Sequence, residues 1–394
     1  MSARISRIGL SHYLAPIALL LLPACDNGEP GEDLGDPGTP AIQHVTNEDG
    51  PQYEGLLFEV REDLVLGTDD GEPKWQVFGS HVDLVVGDEG QMYMADRPSG
   101  NIFIVSTSGD LLGTFGGRGS GPGEYQMLGG LWWVEDGPEV WFSDANLRRV
   151  SRFTPDGKLI DTKRFSGVEE SFVGLLQIAG RRFLGRKPQH EGEQVLTQYA
   201  FLDDDLQWDR EFITLLSQRM WRSPDGNWIA YWPRFEGRPR IATFSDGRIV
   251  ISDPRNSWIT IYSPEGEAEI RFVRDWVAPP ITAEERREFY RSVGNLTEQQ
   301  VAASARLPEA GPPFQQMVTD DESRIWVQRT RTAESEQMGG GFEYDVFDTE
   351  GRWLGTQPLD FTPLIIKGGY LYDTRQGNEV IGPRVYRFEL TWLH

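Results

Sequence analysis

The chain has 394 residues, a net charge of −23 at pH 7 and a single cysteine. This acidity argues against nucleic acid and anionic lipid headgroups as partners, and one cysteine excludes an intramolecular disulfide or a thiolate zinc cluster. Five histidines offer little for a histidine-rich metal site, whereas 44 glycines and 25 prolines favour β structure with many turns.

Residues 1–24 have the pattern of an export signal. Two arginines and no acid precede an apolar run at 13–22, which is shorter than the roughly 20 residues that span a membrane. The run is followed by the sequence LPAC, which ends at Cys25 and resembles a bacterial lipoprotein signal. The resemblance implies cleavage before Cys25 and acylation of its thiol, which would anchor the chain to a membrane. The alternative is an ordinary secretory signal with a chance cysteine.

The location that this resemblance implies is the bacterial cell envelope, with the protein facing the periplasm. In the same resemblance, Asp26 favours retention in the inner membrane. Residues 26–55 are rich in glycine, proline and acidic side chains, so we expect a disordered tether. The predicted domains are the signal at 1–24, the lipidated cysteine and tether at 25–55, and a folded part at 56–394.

The folded part repeats a unit of about 45 residues. In most units a tight turn leads into a short strand of β-branched and aromatic residues, and a third strand follows. The six second strands are Gln91–Asp96, Glu139–Asp144, Arg181–Arg186, Arg248–Asp253, Arg324–Arg329 and Gly369–Thr374. A seventh candidate, Met220–Trp232, is a plausible hairpin without the partner strands of a complete unit. The pattern predicts an all-β, six-bladed β-propeller of four-stranded antiparallel blades.

The last unit ends without a fourth strand. Residues near 57–67 have a strand pattern and lead through a connector into the next first strand, as the fourth strands of other units do. We therefore expect them to form the outer strand of the final blade. Such a closure ties the two ends of the ring together and removes its free edges.

Two insertions, at about 215–239 and 274–314, interrupt the repeat. In the second, Thr282 and Glu285 have the spacing of a capping box, and a second cap follows at 295–298. We therefore expect a short helical insertion between blades four and five.

The first insertion is rich in aromatic residues, which include Trp221, Trp228 and Trp232. They either pack the insertion onto the propeller or form an aromatic wall for a sugar or a peptide.

The connector FGGRGSGPGEY at 115–125 resembles the inter-blade connector of NHL-repeat propellers. The corner that begins with Ser143 and Asp144 resembles the corner between the second and third strands in that family. With the sequence PPIT at 279–282 leading into a helix, residues 56–394 resemble the bacterial six-bladed β-propeller lipoproteins. The resemblance implies the fold and a binding or scaffold role rather than catalysis.

Both insertions and the corners between second and third strands belong to one face of a propeller. We expect a ligand or partner on this face. The candidate residues are Asp96, Asp144, Arg186, Asp253, Arg329, Asp373, Trp221, Trp228 and Trp232. The alternative is that each aspartate caps its own corner and that the arginines form ion pairs.

Three functions stay open. The first is a membrane-anchored binding or scaffold propeller for a protein, peptide or carbohydrate, with no catalytic residue, cofactor or metal. The second is a hydrolase or lyase that resembles calcium-dependent lactonase-like propellers, with Asp96, Asp144 and Asp253 as ligands of a cation in the central channel. The third is a structural partner in an envelope complex that binds no small ligand.

Overall fold

Six four-stranded antiparallel sheets form a ring, so the protein is a six-bladed β-propeller, as the repeat predicts. The computed structural model describes residues 41–68, 71–79, 82–164, 174–293, 296–332, 339–377 and 382–394. The export signal, Cys25 and Asp26 lie outside the described residues. Within the described part, no helix is both long enough and apolar enough to cross a membrane.

The first two strands, β1 and β2, join blades four and six, and the next strands build blades one to three in chain order. The two early strands are β1 (Gln43–Asn47) and β2 (Phe58–Leu66). Blade one contains β3 (Val82–Val86), β4 (Met92–Asp96), β5 (Asn101–Val105) and β6 (Leu111–Gly116). Blade two contains β7 (Leu128–Val134), β8 (Glu139–Asp144), β9 (Arg149–Phe153) and β10 (Leu159–Arg164). Blade three contains β11 (Gly174–Ala179), β12 (Arg182–Glu191), β13 (Gln194–Leu202) and β14 (Trp208–Arg222), with a short fifth strand, β15 (Trp228–Ala230).

Blades four to six follow, and the two helices lie between blades four and five. Blade four contains β16 (Arg240–Thr243), β17 (Ile249–Asp253), β18 (Trp258–Tyr262) and β19 (Ala268–Arg274). The helices are α1 (Ala283–Ser292) and α2 (Glu298–Ser304). Blade five contains β20 (Phe314–Thr319), β21 (Ile325–Arg329), β22 (Phe342–Phe347) and β23 (Trp353–Leu359). Blade six contains β24 (Ile365–Lys367), β25 (Tyr370–Arg375) and β26 (Arg384–Trp392), completed by β2.

The hydrophobic core lies between neighbouring blades rather than in one central cluster. A separate group of buried side chains fills each of the six spaces between adjacent blades within the described residues. Aromatic pairs reinforce this packing: Tyr93 of blade one stacks on Trp133 of blade two, with ring centroids 5.5 Å apart. Every blade is therefore apolar on both faces, which explains why its middle strands are buried almost throughout.

The ring closes through β2, the outer strand of blade six. It pairs antiparallel with β26, from Phe58 opposite Trp392 to Leu66 opposite Val385. Phe58 is buried and stacks on Trp326 of blade five, with ring centroids 4.9 Å apart. The strand that comes early in the chain thus covers the edge left by the strand that comes last.

The acidic segment 26–55, expected as a disordered tether, contains an ordered part. Strand β1 pairs parallel with β19 and adds a fifth strand to blade four. The Asn47 amide nitrogen donates to the carbonyl oxygens of Val273 (3.1 Å) and Gly351 (2.9 Å), so it joins blades four and five. The expectation was wrong here because it weighed apolar content, whereas an edge strand offers backbone hydrogen bonds to a segment with few apolar side chains.

The hairpin at Met220–Trp232 is an extension of blade three and not a seventh blade. The end of β14 pairs with β15, from Met220 opposite Ala230 to Arg222 opposite Trp228. Further along the chain, both helices of the other insertion begin with capping boxes. The Thr282 hydroxyl oxygen accepts from the Glu285 backbone N–H at 3.2 Å, and the Glu285 carboxylate accepts from the Thr282 backbone N–H at 2.6 Å.

Candidate functional site

We call the two ends of the propeller the insertion face and the turn face. The insertion face carries the corners between second and third strands and the two insertions at 215–239 and 274–314. The turn face, opposite, carries the tight turns between first and second strands and those between third and fourth strands. Strand order alone assigns each residue to one end, because every fourth strand runs toward the insertion face and leads from there into the next blade.

The two insertions pack against each other and form one apolar cap on the insertion face. Phe235 of the first insertion meets Phe289 of α1 edge to face, with ring centroids 5.4 Å apart. Arg234 forms an ion pair with Glu285, which also caps α1. The Tyr231 hydroxyl accepts a hydrogen bond from the backbone N–H of Arg306 at 3.2 Å. Connectors from two different blade junctions are thereby held as a single folded unit.

The three candidate tryptophans of the first insertion have different surroundings. Trp221 is only 3% exposed and lies in the apolar cap. Trp232 packs its ring against Phe235 and Phe289. These two rings hold the cap together. Trp228 is 47% exposed, so of the three it has the most ring surface free for a ligand or partner.

The corner aspartates bind their own corners. Asp144 is fully buried, and its carboxylate accepts backbone N–H groups of Gln126 (2.7 Å), Asn146 (2.9 Å) and Leu147 (3.1 Å). This geometry is the capping that the alternative interpretation describes.

The corners of blades one and four repeat this arrangement. Asp96 accepts from the backbone N–H groups of Gly79 (2.8 Å) and Ser99 (3.2 Å). Asp253 accepts from the Arg255 backbone N–H at 3.1 Å. The sequence analysis offered these carboxylates as cation ligands, but in the structure their oxygens stabilise the loops of three separate blades.

The last blade uses its corner aspartate differently. Asp373 accepts from Arg375 at 2.7 Å. Burial raises the pKa of the Asp373 carboxyl, and this hydrogen bond opposes the rise. Within the described residues, no group of three or more histidine, cysteine, aspartate or glutamate side chains is arranged to hold a metal ion.

Arg329 belongs to a buried ionic network of blade five. Its guanidinium donates to both carboxylate oxygens of Asp345, at 3.0 and 2.8 Å. Asp345 is fully buried and also binds Arg274 and the Trp276 indole N–H. Burial by itself would lower the pKa of Arg329, but the hydrogen bonds and charge of Asp345 raise it. Arg329 is therefore tied to the fold, and its guanidinium is not free for a partner in the way that the sequence analysis expected.

Arg186 has the opposite situation. It lies opposite Tyr199 in the ladder between β12 and β13, its side chain is exposed, and it forms no ion pair with any described residue. Two further arginines of the insertion face also lack an ion pair with the described residues. Arg238 likewise has no carboxylate partner in the described part of the chain, and Arg240 donates only to the Gln315 carbonyl, at 3.2 Å.

Sequence reasoning did not single out Arg238 or Arg240. Both belong to the run Arg234–Arg240, in which three arginines accompany one glutamate within a strongly acidic chain. That local reversal of charge is the signal that could have identified them.

A cavity of ≈ 840 Å³ lies between the two insertions and the corner of blade four. Its apolar walls include Met220, Phe235 and Pro312, and Arg255 and Glu236 lie beside them. Arg255 donates from Nη1 to the Leu216 carbonyl at 2.6 Å, and its Nη2 is 3.9 Å from a Glu236 carboxylate oxygen. Its Nε and Nη2 make no hydrogen bond with the described residues. This volume is in the range that accommodates a small ligand or a short peptide segment.

A second cavity of ≈ 880 Å³ lies in the central channel and is lined by the first strands of all six blades. Here the charged groups are paired across blades. The Lys367 amine of blade six lies 3.0 Å from Asp88 of blade one and 3.2 Å from Glu135 of blade two. The Gly368 backbone N–H donates to Asp321 of blade five at 2.7 Å. These contacts link the blades around the channel mouth.

Solved structures share this fold, whereas no protein-family model and no curated protein sequence matches the chain. A Bacteroides fragilis protein thought to be exported is 12% identical, with a TM-score of 0.50 over 89% of this chain and 100% of that one. A member of the DUF4221 family from Bacteroides vulgatus is 12% identical over 85% of this chain and 99% of that one, with a TM-score of 0.44. Virginiamycin B lyase from Staphylococcus aureus is 13% identical over 85% and 100%, with a TM-score of 0.38. At these identities the likeness shows the fold alone.

Proposed function

We propose that the chain is a lipid-anchored, extracytoplasmic binding propeller whose partner contacts the insertion face. The observation that carries the proposal is that two insertions from separate blade junctions pack into one cap beside a cavity of ≈ 840 Å³. Ordering two insertions costs conformational entropy that a bare propeller avoids. Binding residues commonly lie on loops that a rigid scaffold holds in place.

The chemistry of this face suits recognition of a protein, peptide or carbohydrate. Trp228 offers an exposed aromatic ring, and Arg186 and Arg306 offer exposed guanidinium groups. Tryptophan and arginine are the residue types that most often dominate the energetics of binding interfaces.

The test of this function compares the two faces directly. A photo-reactive amino acid replaces Trp228 on the insertion face or, as the control, Arg352 on the turn face, in the full chain expressed in its native host. Both side chains are well exposed, at 47% for Trp228 and 64% for Arg352. We expect a specific cross-linked adduct from position 228 and none from position 352. An adduct from position 352 alone would overturn the proposal.

The anchored location is the second part of the proposal and is supported by the export signal and the motif that ends at Cys25. The protein of the same fold from Bacteroides fragilis, thought to be exported, is in keeping with it. Replacing Cys25 with alanine removes the acceptor thiol, so the variant should move from the membrane fraction to the soluble fraction. If it still sediments with membranes after a high-salt wash, lipidation is not the anchor.

A further inference from the structure

The insertion face carries arginines whose charge is not matched by the described residues. At two other corners the arginine has a carboxylate: Arg97 binds Asp83 at 2.6 and 2.9 Å, and Arg375 binds Asp373 at 2.7 Å. At the corner of blade two, Arg149 donates instead to three backbone carbonyl oxygens. At the junction of blades three and four the pattern changes. Arg186, Arg238, Arg240 and Arg255, named here the arginine cluster, have no carboxylate closer than the 3.9 Å contact between Arg255 and Glu236 within the described part of the chain.

Arg186 and Arg240 both lie near Tyr199, because burial raises the pKa of the Tyr199 hydroxyl and the positive charges of the two arginines oppose that rise. Arg186 lies opposite Tyr199 in blade three, and Arg240 lies opposite Ser252 at the start of the inner strand of blade four. Arg238 stands two residues before Arg240 in the connector. The charge of Arg238 acts on Arg240: burial lowers the pKa of Arg240, and the positive charge of Arg238 lowers it further.

Arg255, which lines the cavity, also lies near other positive charges. Burial lowers the pKa of Arg255, Glu236 and Asp253 raise it, and Arg219 and Arg238 lower it. Like charges held close together and partly out of water raise the free energy of the folded protein unless an anion neutralises them. In a chain with a net charge of −23, such a concentration of positive charge is a local exception.

The cavity beside the cluster indicates what carries the anion. Its walls include Met220, Phe235, Pro308 and Pro312, which offer apolar surface. The charged lining residues are three arginines (Arg219, Arg255 and Arg306) and two glutamates (Glu193 and Glu236), so positive charge exceeds negative charge by one. A free inorganic anion would leave most of the ≈ 840 Å³ unused. The ligand that fits both parts has carboxylates for the guanidinium groups and apolar side chains for the cavity.

We propose that the arginine cluster and the adjoining cavity bind an acidic peptide segment that also carries apolar side chains. The carboxylates contact Arg186, Arg238 and Arg240, and the apolar side chains enter the cavity beside Arg255. This inference rests on the proposed function and names the class of partner that the insertion face recognises. Guanidinium groups suit the task because their planar N–H donors match the spacing of carboxylate oxygens.

The test measures binding of a short fluorescent peptide of alternating glutamate and leucine to the purified soluble chain by anisotropy. The same peptide with glutamine in place of glutamate is the neutral control, and sodium triphosphate and an oligogalacturonate are the competing anions. The variant Arg186→Gln/Arg238→Gln removes two charges from the cluster. The matched control, Lys158→Gln/Arg352→Gln, removes the same charge from the exposed turns of the turn face.

We expect the acidic peptide to bind, the neutral peptide to bind at least about tenfold more weakly, and the cluster variant to lose at least about tenfold in affinity. The turn-face variant should bind as the wild type does, and melting temperatures verify that both variants fold. No binding of the acidic peptide, or equal loss in both variants, would overturn the inference. Tighter competition by triphosphate or oligogalacturonate than by the acidic peptide would overturn the ligand class.

The single variant Arg186→Gln keeps the inference falsifiable if the double variant is unstable, because Arg186 is exposed. The outcome is separable from that of the proposed function. If cross-linking from position 228 maps a partner while the acidic peptide does not bind, the binding propeller stands and the acidic peptide is wrong. If the partner maps only to the turn face, the proposed function fails whatever the peptide does.

Discussion

The turn face and the insertion face of this propeller use charged residues differently. On the turn face, the buried Glu139 of blade two accepts from Arg152 at 2.9 Å through each oxygen and from Arg181 of blade three at 2.6 Å. Lys367 likewise bridges Asp88 and Glu135 across three blades. Ion pairs at this end therefore hold the ring together.

On the insertion face, some arginines have a carboxylate partner and others have none. Arg329 is bound by Asp345, whereas Arg186 and Arg238 meet no carboxylate among the described residues. Burial lowers the pKa of both Arg329 and Arg240, but Asp345 raises that of Arg329 whereas the charge of Arg238 lowers that of Arg240 further. Position in the blade therefore does not decide whether these arginines are structural. Arg329 is held because a carboxylate stands on the neighbouring strand, and Arg186 has no such partner.

Removing the strand that closes the ring should give the largest loss in the free energy of unfolding. Deleting residues 26–68 removes β2 and the burial of Phe58 and Leu66, so we expect a loss of at least about 5 kcal/mol in the free energy of unfolding, with aggregation through the exposed β26. Deleting 26–50 removes β1 and should cost about 1–2 kcal/mol. Deleting residues 26–41 should leave the free energy of unfolding unchanged. Urea unfolding of the three truncations checks the series, and equal midpoints for the two longer deletions would contradict it.

Breaking the turn-face network should come next. The substitution Glu139→Gln leaves Arg152 and Arg181 without the charge that they share, and we expect a loss of about 3 kcal/mol. The matched change on the insertion face is Arg186→Gln, which should stay within about 0.5 kcal/mol of the wild type. Chemical denaturation measures both. A loss for Arg186→Gln as large as that for Glu139→Gln would break the distinction between the two faces.

Within the insertion face, Arg329→Gln should fall between these values. It removes two hydrogen bonds to the buried Asp345, but Arg274, Trp276 and Thr356 still bind that carboxylate. We therefore expect a loss of about 1–2 kcal/mol. The same denaturation experiment provides the measurement, and a stability equal to that of Arg186→Gln would show that burial of Arg329 contributes nothing.

The smallest effect concerns pH. Burial would raise the pKa of Glu139, but hydrogen bonds from Arg152 and Trp141 and the charges of Arg152 and Arg181 lower it. A lowered pKa in the folded state stabilises the protein above the unfolded value of about 4.3, and this contribution is lost as the pH falls through the folded value. The stability gap between the wild type and Glu139→Gln should therefore narrow below pH 4. A gap that widens on acidification would contradict the assignment.

The blades could be predicted from the sequence because their signals are local. Each second strand follows a turn whose residues accept a positive φ, as Gly90 (81°) and Gly247 (88°) do. The six-bladed architecture and the closing strand follow from counting such units. These features depend on neighbours in the chain and need no knowledge of the sheet edges.

Two features could not be predicted in this way, because both depend on contacts across blades. Strand β1 exists because the edge of β19 accepts it, although Val45 is its one large apolar side chain. The roles of Arg186 and Arg329 differ because Asp345 faces only the latter, and two similar corner arginines look alike in the sequence. The sequence therefore predicted which corners share a face but not which of their arginines have a carboxylate partner.

We propose that a partner contacts the insertion face, whereas the turn face stabilises the fold. Charge reversal on the two faces tests it most directly, with Arg186→Glu and the control Arg352→Glu, in cells that carry the photo-reactive residue at position 228. We predict that Arg186→Glu abolishes most of the cross-linked adduct and leaves the melting temperature within about 2 °C of the wild type, whereas Arg352→Glu changes neither. An adduct that survives Arg186→Glu but is lost in Arg352→Glu would contradict the claim.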